Sequence, residues 1–458
     1  MSHKIRFLAG ALTIAALIAG PATASAAAVK EVKDINPGKV RSKPRRMLEF
    51  RGQVYFDAND GVHGDELWRT DGTKRGTKLA VDVVPGADSS SPIGPIIKVG
   101  DRLYFSAGAS DDRSVFASDG TPAGTAPVPG TEGLNPFAFV PGADRFYFRV
   151  PIEGGTELWA SDGTGAGTHA ISTISLSQSQ DCPGLGAGTA NSVTVVGSLA
   201  FFCAIDAEHG AEPWVTDGTP EGTRMVADLV PGPDSSKPID FTRFGDVVVF
   251  FVLRQGAAEL WRSDGSETGT SLVTTIPSDQ RVGQLVVSGA RVFFFATTAD
   301  STVLWSTDGT AGGTKALGDL PFFTAGASVA LKPSGGIVFS AFARRTGSEL
   351  WRSDGTRAGT RLVKDIAPGH LSRGGGRSSE PEQLTPARGK TYFTATVRKR
   401  GRELWRTDGT RRGTKLVGEV RPGTHGGRIK EITPIGHRVF FAATTPRHGE
   451  ELWVTGHR

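Results

Sequence analysis

The run Glu66-Leu67-Trp68-Arg69-Thr70-Asp71-Gly72-Thr73 decides the fold of this chain, because it comes back. The same register stands at Trp159, Trp214, Trp261, Trp305, Trp351, Trp405 and Trp453, and with Trp68 these are all 8 tryptophans in the 458 residues. Phe116 fills the one missing place, in Ser114-Val115-Phe116-Ala117-Ser118-Asp119-Gly120-Thr121. The spacings are 48, 43, 55, 47, 44, 46, 54 and 48. Chance does not put every tryptophan in one register, so the chain is a repeat of nine units.

Each unit holds four short extended segments, here A to D. Segment B is aromatic, as in Val54-Tyr55-Phe56 and Phe293-Phe294-Phe295. Segment C is the Glu-Leu-Trp run. Segment D is β-branched, as in Thr360-Arg361-Leu362-Val363-Lys364-Asp365-Ile366, and segment A is shorter, as in Pro95-Ile96-Ile97-Lys98-Val99. These residue types favour strands, and Gly, Pro, Asp and Ser bound them. No stretch after the first 26 residues keeps a 3.6-residue period. Four strands in a unit of this length predict an all-β propeller blade.

The two ends predict how the ring shuts. The last unit stops after Glu451-Leu452-Trp453-Val454-Thr455-Gly456 and lacks segment D. Val32-Lys33-Asp34-Ile35-Asn36-Pro37-Gly38, near the start, matches Val363-Lys364-Asp365-Ile366-Ala367-Pro368-Gly369. The expectation is a single propeller domain over residues 27–458, of about nine blades, with an N-terminal strand completing the last blade. Such a seal leaves no bare sheet edge and ties down both ends. Propellers more often have about 4–8 blades. Two smaller propellers or an open stack are the alternatives, and the stack does not explain the matching ends.

The nine units resemble the ELWxxDGT repeats of exported bacterial proteins. The likeness covers about residues 30 to 458. Asp-Gly-Thr followed by Gly-Thr stands at Asp71, Asp119, Asp162, Asp217, Asp308, Asp354 and Asp408, while at Asp264 the third residue is Ser266. The last unit reads Val454-Thr455-Gly456, and the Phe116 unit lacks the Glu and the Trp. The resemblance implies a propeller-like exported protein and carries no established activity.

Physically, the motif reads as a tight hairpin between strands C and D. The Asp carboxylate accepts from backbone amides two residues on. The first Gly and the second (Gly76, Gly359, Gly413) are expected to supply positive φ. One carboxylate per unit does not converge on a substrate, and calcium needs several oxygens on one loop. The tryptophans read as packing between blades, each covering about 150–250 Å². Glu66, Glu157, Glu212, Glu259, Glu349, Glu403 and Glu451, two before the tryptophan, read as repeated structural partners.

Composition fixes the setting. Lys4 and Arg6 precede an apolar run from Phe7 to Gly20 and then Ala24-Ser25-Ala26. That order predicts a signal peptide over residues 1–26 and a secreted, periplasmic or envelope protein. The run is too short to span about 30 Å of hydrocarbon. In an oxidising compartment Cys182 and Cys203, the only 2 cysteines, are expected to form a disulfide; the alternative is a buried thiol at Cys203.

No zinc-protease, nucleophile-elbow, phosphate-loop or dinucleotide motif occurs, so no cofactor, metal or catalytic residue is expected. His63, His209 and His448 recur before the Glu-Leu-Trp run; a metal pair across the ninth and first units is the sharper reading, a loop feature the simpler one. Charge is the feature that does not repeat. Residues 27–99 hold 13 basic and 10 acidic residues, residues 100–339 hold 13 and 26, and residues 340–458 hold 24 and 11. On closure, units 7, 8, 9 and 1 become neighbours. Their cations include Lys43, Arg45, Arg46, Arg344, Arg345, Arg373, Arg377, Arg398, Lys399, Arg400 and Arg402, facing an acidic sector with Asp111, Asp112, Asp206 and Glu208. The expectation is a non-enzymatic binding or scaffold propeller whose basic sector takes polyanions of the envelope or an acidic protein partner. Nucleic acid is disfavoured for want of loop aromatics, and self-association of opposite sectors is open. The alternative is a hydrolase or lyase with a site in the central channel, built from single residues of several blades.

Overall fold

A computed structural model describes residues 29–90, 94–109, 111–171, 182, 193–279, 281–299, 301–320, 328–330, 335–369 and 376–456. The expected leader, residues 1–26, and Arg373 lie outside the described residues. All regular structure described is strand, in nine antiparallel sheets arranged as a β-propeller. In the first blade the order is Arg45–Phe50, Gln53–Asn59, Asp65–Thr70, Lys78–Val81, the A to D segments of the sequence. Among the described residues only the sixth blade breaks its A strand, into Arg281–Val282 and Val286–Ser288, both paired with Arg291–Thr297.

The ring closes with the first strand. Val29–Lys33 lies antiparallel to Gly449–Thr455, with Val29 opposite Thr455 and Glu31 opposite Trp453. The ninth A strand, Lys430–Ile435, touches both the eighth, Glu382–Ala387, and the first, Arg45–Phe50. An open stack is thereby excluded.

The core is divided among the seams between blades. B strands are apolar on both faces because each face meets a different neighbour. Val54, Phe56 and Ala58 pack with Val32, Phe440 and Leu452 of the ninth blade. Tyr55 and Leu67 pack with Leu103 and Phe105 of the second. All eight tryptophans are buried or half-buried. Lys33 Nζ lies 5.4 Å from the centre of the Trp68 ring, and Lys364 Nζ 5.6 Å from that of Trp405, each lysine on the blade preceding its tryptophan. The indoles therefore space the blades, as a single aromatic per unit in a strand suggests.

One feature of the inner strands has no signature in residue type. Arg46, Ala138, Asp240, Gln383 and Glu431 have left-handed backbones, with φ of 57, 54, 61, 53 and 54°. Each sits at a β-bulge in an A strand and precedes a buried apolar residue: Met47, Phe139, Phe241, Leu384 or Ile432. Three residues earlier, Lys43, Asn135, Lys237, Glu380 and Arg428 are left-handed too. A non-glycine residue in this region costs about 1–2 kcal/mol. The bulge turns the next side chain into the seam, and burying that side chain offsets the cost.

Candidate functional site

The propeller has two faces. On one, the D–A connections lie against the B–C turns. Gly64, Gly401 and Gly449 have left-handed φ, and a Cβ on them would come within 2.5, 2.2 and 2.6 Å of Asp88 O, Gly426 N and Val40 O. The glycine that follows His63 and His448 is thus required by close backbone approach. The other face carries the A–B hairpins and the Asp-Gly-Thr turns.

The recurring glutamate holds the D–A connection. Glu66 accepts from the amides of Val83 and Ser90, both at 2.9 Å. Glu212 accepts from the Leu229 and Ser236 amides and the Ser236 hydroxyl. Glu349 does the same with Ile366 and Ser379, Glu403 with Val420, and Glu451 with Ile35 and Ser42. Burial pushes Glu349, Glu403 and Glu451 up to about 7 and Glu66 to about 6, against the pull of these donors. In blades 3 and 5 the glutamates are half-buried and take the indole N–H of their own Trp159 and Trp261. The role is structural.

The Asp-Gly-Thr turn is a closed hydrogen-bond circuit. Asp71 Oδ1 accepts from Thr73 N at 2.8 Å and from the Thr73 hydroxyl at 2.7 Å, and Thr73 Oγ1 accepts from Gly76 N. Thr70, before the Asp, accepts from Gly72 N and meets the Thr77 hydroxyl at 2.6 Å. Ser118, Ser161, Thr216, Ser263, Thr307, Ser353 and Thr407 repeat that role. Hydrogen bonds from the third residue hold the Asp71, Asp119 and Asp162 carboxyls below the usual range. The first Gly is left-handed, and its space is taken by the preceding blade: a Cβ on Gly120 would meet Tyr55 Oη at 2.1 Å, and on Gly163, Tyr104 Oη at 2.2 Å. The second Gly corrects the sequence reading. Gly76, Gly359 and Gly413 are not left-handed. They are glycine because a Cβ would fall 1.9–2.0 Å from the carboxylate of Asp71, Asp354 or Asp408.

The histidines each face a carboxylate. His63 Nδ1 is 2.8 Å from Asp60, His209 Nδ1 3.0 Å from Asp206, and His448 Nδ1 2.9 Å from Glu31 of the sealing strand. Among the described residues no group of three or more His, Cys, Asp and Glu is placed to hold a metal ion. Cys182 and Cys203 are joined, with Cα atoms 5.8 Å apart.

Of the eleven cations singled out in the sequence, Arg373 lies outside the described residues, and the nine besides it and Arg377 divide in two. Arg45 and Arg46 both bind Asp57, at 3.0 and 2.9 Å, and the Asp57 side chain has 0% exposure. Arg402 binds Glu380 and Glu382, and Arg400 binds Glu419. These four are spent within the fold. Lys43, Arg344, Arg345, Arg398 and Lys399 are exposed. Among the described residues none of the five has a carboxylate partner. Lys43 belongs to the connection into blade 1 and the other four to B–C turns, so all open on one face. Around the axis, left-handed residues link blade to blade: Glu431 accepts from Arg46 N, Asp240 from Leu285 N, and Gln383 Nε2 donates to Ile429 O.

No family model matches the chain, and no curated protein does. Solved structures resemble it at low identity. A computationally designed protein, Ika8, is 14% identical with a TM-score of 0.43, over 80% of this chain and 96% of that one. One of two prolyl endopeptidases is 11% identical with a TM-score of 0.45, over 89% and 55%. A puromycin-hydrolysing peptidase of Mycobacterium tuberculosis is 9% identical with a TM-score of 0.41, over 91% and 60%. This chain thus spans a little over half the length of those peptidases.

Proposed function

We propose that this is an exported ELWxxDGT-type propeller that works by binding, without catalysis. It holds a polyanionic component of the cell envelope, or an acidic protein partner, on the loop face of blades 7, 8, 9 and 1. The observation that supports this reading is the set of five exposed cations, Lys43, Arg344, Arg345, Arg398 and Lys399, with no carboxylate partner among the described residues. Charges left unpaired on one face attract a polyanion through a field that salt screens over about 8–10 Å. The test is retention on immobilised heparin. Replacing Arg344, Arg345, Arg398 and Lys399 together by Glu is expected to move elution to markedly lower salt. Retention equal to that of the unaltered chain rejects the reading. Arg400 and Arg402 are left alone because they hold the fold.

A further inference from the structure

The outer seam between blades 7 and 8 gathers four cations. A cleft of about 390 Å³ opens there, on the turn side of the molecule. Arg352, Arg361, Lys364 and Arg411 line it, with Asp365 as the one carboxylate in its wall. Two of the cations form a fixed floor. Lys364 Nζ donates to Thr414 O at 2.8 Å and covers the Trp405 ring, and Arg352 Nη1 donates to Gly409 O at 3.3 Å. The other two, Arg361 and Arg411, are exposed arms on either side.

By repeat register the ninth–first seam keeps three of these cations, as Lys30, Lys33 and Lys74 with Val454 in the place of Arg352, and Lys33 likewise donates to Thr77 O and covers Trp68; other seams keep fewer. Arg352 pairs with Arg361 across strands C and D, as Arg69 pairs with Lys78 and Val215 with Arg224. Between blades 1 and 2 the places of Lys364 and Arg411 are held by Val81 and Pro122. Between blades 4 and 5 the places of Arg352, Lys364 and Arg411 are held by Val215, Ala227 and Glu267. Four cations around one cleft repel one another; Lys364 is a seam feature shared with Lys33, whereas the exposed Arg361 and Arg411 have no carboxylate partner among the described residues. Burial, and the charges of Arg411 and Lys415, hold the Lys364 ammonium below its usual range.

We propose that this cleft binds a multiply charged oxyanion, of the phosphate or sulfate class. Such a ligand relieves the repulsion. Guanidinium groups grip its oxygens two at a time, and the lysine adds a compact charge at the floor. The volume lies in the range of small-ligand sites, about 300–1,000 Å³, so the group is carried on a body larger than one phosphate. The site is separate from the loop face and does not depend on the function proposed for it.

Calorimetric titration of the full chain with sodium tripolyphosphate and with a sulfated heparin disaccharide tests this, with acetate at matched ionic strength as control. One site is expected to fill with one or both polyvalent anions and not with acetate. Arg361→Glu with Arg411→Glu is expected to weaken it by about tenfold or more. If that pair fails to fold, Arg361→Gln with Arg411→Gln gives the same reading at smaller amplitude. The loop-face variant of Arg344, Arg345, Arg398 and Lys399 is expected to titrate normally. No saturable binding above acetate, unchanged binding in the cleft variants, or loss of binding in the loop-face variant would each overturn the proposal.

Discussion

A methyl group on Gly76 would fall 2.0 Å from Asp71 Oδ1. The repeat therefore keeps a glycine there for room, with no demand on φ. Gly76→Ala is expected to cost about 1–3 kcal/mol in urea unfolding, and much less in an Asp71→Gly background. Equal costs in the two backgrounds would reject the account. The buried glutamates make a second prediction. Glu349, Glu403 and Glu451 stand near 7 in the fold against an ordinary 4.5. A raised value means the folded state favours the proton, so this contribution is full below about 4.5 and is lost as pH rises through about 7. The turn aspartates, held low, act in the opposite sense and lose their contribution as pH falls through those lowered values. The thermal midpoint is expected to peak between these limits and to fall from pH 5 to pH 8. Glu403→Gln should make that fall shallower; an unchanged slope counts against it. At this scale the sequence was half readable. The Asp and Thr of the turn announce their hydrogen bonds by type, whereas for the second glycine type alone does not say whether φ or space is the constraint, and space is. The hydroxyl before each Asp, Thr70 and its equivalents, forms an unbroken Ser/Thr column in the sequence, but its role in closing the turn shows only in the hydrogen bonds. The left-handed Arg46, Ala138, Asp240, Gln383 and Glu431 share no residue type, so no sequence signal marks them.

Strand assignments were readable because B, C and D each have their own composition at a fixed spacing, and because the Val32–Ile35 run repeats Val363–Ile366. The broken inner strand of blade 6 was not, since its interruption is a matter of backbone pairing. The element most open to test is the seal. Val29–Lys33 gives the ninth blade its D strand, and the connection after it is held by Glu451. Removing residues 29–38 uncovers the edge of Gly449–Thr455 and exposes apolar surface of the ninth seam. The truncated chain is expected to melt lower and to self-associate, as read by light scattering; a monomer with an unshifted midpoint would contradict the closure. The disulfide is a second tie. It joins residues 21 apart, and closing a loop of that length stabilises by about 3 kcal/mol in the chain-entropy account. Cys182→Ser with Cys203→Ser is expected to lower unfolding free energy by about that much, with no effect on heparin retention.

For the whole molecule, the partition of charge was visible in composition, and ring closure brings the basic units together as the order of blades requires. Which cations are spent was hidden. Asp57 lies in a B strand and looks apolar by position, yet it takes both Arg45 and Arg46. Glu380 and Glu382 reach Arg402 from across the sheet. Heparin retention should therefore depend steeply on salt and on the five exposed cations, and little on these pairs. Arg402→Gln is expected to weaken the fold around the eighth inner strand while leaving the elution salt close to that of the unaltered chain.

The sealing strand also imposes an order in time. The Ile35 amide finds Glu451 416 positions later. At roughly 5–20 residues per second, a growing chain has its first strand made some tens of seconds before the partner exists. The eight intervening sheets can stack in sequence as they appear, but the circle cannot lock until the final hairpin is finished. A chain stopped anywhere before that point is an open crescent with two uncovered flanks.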